Sequence, residues 1–249
     1  MRNCIVGLAA LIGLVGAGRV DAAIVFTGID VGAGPLDPRP NSDAAAGSFD
    51  AATLVDVLDF EDLSVGSFTS MEVAPGVTAN LSGQSLSTSG ITDGTNFGVT
   101  PDNIVGYNTT ALGEKFLLFT PQPSSNVTTA SVSFVFDTPI QAWGAYITGL
   151  GTSTGDMIIS YGDGSTTKEF SVAGDQQGGV LFFGFTEAGA AFTSVTLELR
   201  NEDGNMFDRF GVDDVRYGVI PEPSTLIVWS LLGALGICFG WWRRKRSAP

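Results

Sequence analysis

The densest group of oxygen donors in the sequence is Asn201-Glu202-Asp203-Gly204-Asn205, followed closely by Asp208, Asp213 and Asp214. Calcium takes six to eight oxygen ligands, which makes Asp203, Asn205, Asp208, Asp213 and Asp214 the candidate metal ligands and calcium the candidate structural cofactor. The spacing departs from the twelve-residue EF-hand loop, and Asp213 and Asp214, if they share a strand, point to opposite faces. A solvated acidic turn accounts for the same composition. The chain has no His, and its two Cys, Cys4 and Cys238, lie near the ends. Ser-His-Asp and Cys-His catalysis and the usual zinc sites are therefore excluded from the body. Glycoside hydrolysis needs only a pair of carboxyls, but at a fixed separation that nothing in the spacing identifies. The body is accordingly read as non-enzymatic, and Trp143, Tyr107 and Tyr146 are left as the rings that could stack on a sugar.

The elements that must position these residues read as all-β. Val195, Leu197 and Leu199 alternate with Ser194, Thr196, Glu198 and Arg200, and Val132, Phe134 and Phe136 alternate with Ser131, Ser133 and Asp137, Val135 being the exception. A period of two sends one face to a core and the other to water. Asp163-Gly164 between Met157–Tyr161 and Lys168–Val172 predicts a hairpin, since such a pair supplies the positive φ angles of a tight turn. Further strands are expected at Ile24–Phe26, Val55–Phe60, Val77–Leu81, Phe116–Phe119, Gln141–Ile147 and Val180–Phe185. About ten short strands with no convincing amphipathic helix predict a two-sheet sandwich of jelly-roll type. Phe134, Phe136, Phe182 and Phe185 are expected in its core. Gly28–Ala52, rich in Gly, Ala, Pro and Asp with little periodicity, reads as irregular.

Both ends carry address-like segments. Arg2, the apolar stretch Ile5–Gly18 and Val20-Asp21-Ala22 have the layout of a secretory signal peptide, with cleavage expected after Ala22 and Ala23 as the second choice. Near the C-terminus, Leu226–Trp242 is an uncharged apolar run that as a helix covers about 25 Å. Trp229, Trp241 and Trp242 lie towards its two ends, and Arg243, Arg244, Lys245 and Arg246 follow. The basic cluster keeps the C-terminus cytoplasmic and the body outside. The organisation is therefore a signal peptide over 1–22, an irregular segment over 23–53, a sandwich domain over 54–218 and a tail over 219–249 with a transmembrane helix at 226–242. Of 26 acidic residues only Asp21 and Glu222 fall outside 23–220, and of 12 basic ones Arg2, Arg19 and the four tail cations do, so the body carries 24 acids against 6 bases, a balance of −18. That balance disfavours nucleic acid and anionic membrane surfaces as partners. With no Cys between its ends, the body must hold together without disulfides.

Pro221-Glu222-Pro223-Ser224, the membrane run and the terminal cations, in that order, resemble the PEP-CTERM sorting signal of bacterial exported proteins. The resemblance covers about the last 30 residues. It implies recognition by an exosortase, a membrane-embedded transpeptidase-like protease, with release or transfer of the body to the cell surface or to an exopolysaccharide-rich matrix, exopolysaccharide being the further candidate partner. Prolines suit the motif because they resist helix formation and keep the segment beside the membrane extended. Pro139-Ile140-Gln141-Ala142-Trp143-Gly144, Phe182-Phe183-Gly184-Phe185 and Phe207 to Val215 resemble strand motifs of the β-sandwich domains often joined to this signal. These resemblances imply an exported surface or matrix protein with a structural or interaction role. A carbohydrate-binding module is the alternative.

Overall fold

The computed structural model describes residues 23–94, 105–122, 129–151, 157–174, 177–200, 209–220 and Leu232. The described elements, in chain order, are β1 (Ile24–Val31), α1 (Pro40–Ala52), β2 (Leu54–Leu58), β3 (Gly66–Ser67), β4 (Ser70–Ala74), β5 (Val77–Ser82), β6 (Gly90–Asp93), β7 (Lys115–Phe119), β8 (Thr129–Ile140), β9 (Ala142–Thr148), β10 (Met157–Gly162), β11 (Thr167–Val172), β12 (Gly179–Thr186), β13 (Phe192–Arg200) and β14 (Phe210–Val219). They form two antiparallel sheets. One has eight strands in the order β1-β12-β9-β14-β7-β6-β3, with β2 also paired to β14; the other has six, in the order β11-β10-β13-β8-β5-β4. The described residues form an all-β two-sheet sandwich with α1 laid on the outside of the larger sheet.

The inner faces pack as the alternation requires. Val132, Phe134 and Phe136 of β8 and Val195, Leu197 and Leu199 of β13 are buried in one apolar cluster with Trp143, Phe183 and Phe185 from the opposing sheet. Val135 faces outward, 38% exposed. Strands β9 and β12 are buried at every position. Their near-continuous apolar sequence follows from having the second sheet on one side and α1 on the other. Gly144 and Gly184 sit opposite each other in these two strands. A Cβ on Gly184 would come within 3.0 Å of Phe49 and Phe182, and one on Gly144 within 2.9 Å of Phe182. The two glycines therefore clear the seat that α1 fills with Phe49.

The structure corrects the reading of residues 23–53 as irregular. Ile24–Val31 is a full strand in the larger sheet, and Pro40–Ala52 is a helix, so the sandwich begins at Ile24 and not near residue 54. The helix is hard to see in the sequence because its buried residues are Ser42, Ala46 and Phe49, a helical spacing with only one large apolar side chain. Pro40 in the first turn and the alanines after Asp43 are what favour it locally. At the β10–β11 hairpin the expected tight turn is a four-residue connection, 163–166. Only Gly164 has a positive φ there, and Asp163 closes the loop by accepting bonds from the Ser165 and Thr166 N–H groups at 2.8 and 3.0 Å. Among the described residues no helix is long and apolar enough to cross a membrane; the signal-peptide region and Leu226–Trp242 lie outside the described residues.

Candidate functional site

The polar chemistry of the body gathers on the outer face of the larger sheet, where α1 and the loop 105–114 meet it. The helix has no side-chain cap of its own at Arg39. Its free N–H groups are met from the sheet, because Asp30 on β1 accepts bonds from the Asn41 N–H at 3.1 Å, the Asn41 amide at 2.9 Å, the Ser42 N–H at 2.8 Å and the Ser42 hydroxyl at 2.6 Å. A carboxylate at a helix N-terminus satisfies orphan donors and complements the macrodipole. Burial pushes the Asp30 carboxyl up, but the bonds from Ser42 and Asn41 outweigh it and hold it below the ordinary carboxylate value.

Tyr146 on β9 lies under the start of the helix. Its hydroxyl donates to Asp43 at 2.7 Å, and the guanidinium carbons of Arg39 and Arg216 stand 4.8 and 5.3 Å from the ring centre. Arg39 bridges to Asp43 at 3.0 Å, and Arg216 to Asp50 at 3.0 Å. Burial, reinforced by the bond to Asp43 and its charge, raises the Tyr146 phenol above its ordinary value, which keeps it a donor.

Asp213 and Asp214 do not behave as an alternating pair. Between Asp213, opposite Tyr146, and Arg216, opposite Gly144, β14 carries one residue more than β9. Asp214 takes up that bulge with a φ of 47°. Both carboxylates then reach the same hydroxyl, Thr109 Oγ1, at 2.9 and 3.0 Å, which corrects the expectation that they point to opposite faces. Asp213 also accepts bonds from the Thr109 and Thr110 N–H groups, at 2.5 and 3.2 Å, and Asp214 accepts one from the Thr110 hydroxyl at 2.8 Å. The Asp213 carboxyl is pushed up to about 7 by burial and by the Asp214 charge, against the pull of those bonds. Its second oxygen is buried and finds no partner among the described residues.

The pair therefore works as a staple that fixes the loop against the sheet. From the loop's far end Glu61 accepts bonds from the Asn108 amide and the Glu114 and Lys115 N–H groups, at 2.8, 2.9 and 2.9 Å. Asp213 and Asp214 take their bonds from protein donors, and no cluster of three or more metal-ligating His, Cys, Asp or Glu residues occurs among the described residues. Asp203, Asn205 and Asp208 lie outside the described residues.

The anchored loop and the lead-in to α1 enclose an open groove of about 630 Å³, bordered by Leu36, Arg39, Asp43, Asn108 and Leu112 among others. Leu36 and Leu112 stand free at its rim. Asp213 and Asp214 are behind the loop and do not line it. The three nominated rings are inside the molecule: Trp143 is in the inter-sheet core, while Tyr107 and Tyr146 belong to the smaller cluster under α1. Tyr107 donates its hydroxyl to the Ala33 carbonyl at 2.6 Å. None of the three offers a face to a sugar, since stacking needs an uncovered ring. Among the described residues no aromatic ring is more than partly exposed. Sequence reasoning missed Asp30, Asp43, Thr109 and Thr110; the Ser42-Asp43 pair at the head of an Ala-rich stretch is the available signal for Asp43 alone. Pro221, Glu222, Pro223, Ser224 and the cations Arg243, Arg244, Lys245 and Arg246 lie outside the described residues.

No protein family matches the sequence, and no curated protein matches it. Among solved structures the chain is similar to a family 29 carbohydrate binding module, at a TM-score of 0.37 and 9% identity over 70% of this chain and 97% of that one. It is similar to another such module, from Piromyces equi, at 0.35 and 9% over 68% and 93%. A Stig cyclase from Fischerella sp. TAU aligns at 0.39 and 12% over 66% and 97%. Likenesses this loose stay at the level of gross architecture and carry no ligand or reaction to this chain.

Proposed function

We propose that this chain is an exported bacterial protein whose sandwich has a structural or interaction role at the cell surface or in the extracellular matrix. A signal peptide over 1–22 starts its export, and a PEP-CTERM tail read by an exosortase-type protease sorts it. The observation that carries the reading is the C-terminal order of Pro221-Glu222-Pro223-Ser224, an uncharged run of membrane length and four cations. Several features of the body support a non-catalytic role. Its most perturbed carboxyl, Asp213, is spent on holding a loop, and the cations Arg39, Lys115, Lys168, Arg200 and Arg216 are each tied to nearby acceptors. The chain changes sheet between β3 and β4, β5 and β6, β7 and β8, β8 and β9, β9 and β10, β11 and β12, β12 and β13, and β13 and β14, and this repeated crossing supports the jelly-roll reading of the sandwich.

Replacing Pro221, Glu222 and Pro223 together by Ala leaves the apolar run and its cations in place, so the variant stays in the membrane fraction while the wild type is released. Cell fractionation of the two reads this directly, and equal release would overturn the sorting role. A carbohydrate-binding role is the second reading, and the groove beside Asn108 and Arg39, with the largely buried Tyr107 in its wall, is what supports it. Isothermal titration of the protein with exopolysaccharide fragments separates the two: heat of binding lost on Asn108→Ala would favour the groove.

A further inference from the structure

A sandwich has open sheet edges, and proteins blunt such edges with charge, bulges or brevity. Four of the edges here are blunted. Strand β3 is two residues long, β2 carries Asp56 at its centre, β4 has Glu72 beside a break in register, and β11 presents Lys168 and Glu169. Strand β1 is different. It is eight residues long, pairs with β12 in unbroken register, and has Asp30 as its sole charge, which is turned under α1 and fully bonded.

The phase of β1 is fixed by bonds around it. The Gly32 N–H donates to the Gly178 carbonyl at 3.2 Å, in the register that continues β1 against β12. Alternate residues of an antiparallel strand send their N–H and C=O groups to the same side. Ile24, Phe26, Gly28 and Asp30 therefore bond β12, and Val25, Thr27, Ile29 and Val31 send theirs outward. The Gly149 N–H to Gly179 carbonyl bond on the far side of β12 agrees with this phase, and so does the Asn41 amide, which reaches the Ile29 carbonyl at 3.2 Å. Among the described residues nothing bonds the N–H and C=O of Val25 and Thr27, which face outward at the edge of the sheet. The side chains of Val25, Ile29 and Val31, on the face turned to the second sheet, are 42%, 37% and 61% exposed, so β1 overhangs the smaller sheet with an apolar strip.

From this contrast we infer that β1 docks a second copy of this chain, β1 against β1 in antiparallel sense about a two-fold axis at Phe26. An edge strand paired with its own copy is self-complementary. In this register Val25 lies opposite the partner's Thr27 and Thr27 opposite the partner's Val25, each pair exchanging two backbone bonds. It also joins the two apolar overhangs. The body's excess of acid would oppose association through most other surfaces, but across β1 no exposed charge meets its like. The inference stands apart from the sorting tail and from the groove.

The test is light scattering on the full-length protein in mild detergent, comparing wild type with Thr27→Pro and Val25→Lys. Proline at 27 removes an outward N–H and no bond to β12, and lysine at 25 puts like charges across the axis. The expected result is a wild-type dimer that both variants weaken by about tenfold or more, with unfolding midpoints close to wild type. A monomeric wild type, a dimer that survives both substitutions (an interface elsewhere, the membrane run included) or an assembly larger than two would each overturn it.

Discussion

The two faces of the eight-stranded sheet are held by different physics. Towards the second sheet the contacts are almost wholly apolar. Phe185 has the rings of Trp143, Tyr161, Phe170, Phe183 and Phe192 around it with centroids 4.3 to 6.4 Å away, and polar groups enter at few points, chiefly where Glu187 accepts bonds from Tyr161 and Lys168 at 2.8 and 2.7 Å. Towards α1 a small apolar cluster around Phe49 and Phe182 is ringed by Asp30, Asp43, Tyr146, Asp213 and Asp214, all hydrogen-bonded. The inner face makes the sandwich fold. The outer face sets where a helix and a loop sit, because hydrogen bonds have direction and apolar burial does not.

The largest effect is expected where the inner face is cut. Phe185→Ala should cost about 3–5 kcal/mol of unfolding free energy, the range for a large aromatic removed from a packed core, with little change in slope between pH 5 and 8. A loss under about 1 kcal/mol in urea unfolding would mean that the surrounding rings close the cavity and that the inner face is less tightly packed than described.

The pH response separates the faces most sharply. Asp213 has its carboxyl raised to about 7, so the folded state holds this proton where the unfolded chain releases it near 4. The associated stability is full below about pH 4 and is lost as pH rises towards 7, by at most about 4 kcal/mol at about 1.4 kcal/mol per unit. Asp213→Asn keeps an acceptor for the Thr109 and Thr110 N–H groups and cannot ionise. Its urea midpoint should therefore stay flat over pH 4.5–8 where that of the wild type falls. Parallel curves would show that the staple ionises without cost.

How much of this is legible in the sequence divides along the same line. Val132, Phe134, Phe136, Val195, Leu197 and Leu199 announce the inner core, because a period of two in large apolar residues is the pattern that a strand with one buried face imposes. Strand β1 is legible only at Ile24–Phe26, since Gly28 and Asp30 break the apolar pattern at the positions that serve α1. The helix escapes a reading by pattern because its buried stripe is Ser42, Ala46 and Phe49. The staple cannot be read at all: Thr109 and Asp213 are 104 residues apart, and the bulge at Asp214 that brings both carboxylates together cancels the alternation a strand predicts. The rings nominated for sugar stacking are picked out by type, and type does not distinguish a ring under a helix from one on a surface.

A smaller effect is expected from the remote cap. Asp30→Ala removes a bonded carboxylate from the N-terminus of α1 and should cost about 1.5–3 kcal/mol, the range for bonds to a charged group. Its sign with pH is opposite to that of Asp213. The Asp30 carboxyl is held below its ordinary value, so its contribution is present above about pH 4 and lost as pH falls through the folded value. Hydrogen exchange of the α1 amides should rise in the variant at neutral pH while β13 stays protected. Equal loosening of both would mean that helix and sandwich open as one unit.

The smallest effect should come from the Tyr146 hydroxyl. Tyr146→Phe removes the bond to Asp43 but leaves the ring within reach of the Arg39 and Arg216 guanidiniums, and a phenyl face attracts cations much as a phenol does. The bond ends on Asp43, whose side chain is 51% exposed, so water can take the place of the lost donor and the cost should be about 0.5–1.5 kcal/mol. A double-mutant cycle with Asp43→Ala apportions it. If the bond acts alone, the coupling should equal most of the Tyr146→Phe loss. A coupling near zero together with a large single-mutant loss would mean that the hydroxyl positions Arg39 through Asp43, and that the outer face responds as one network and not as separate contacts.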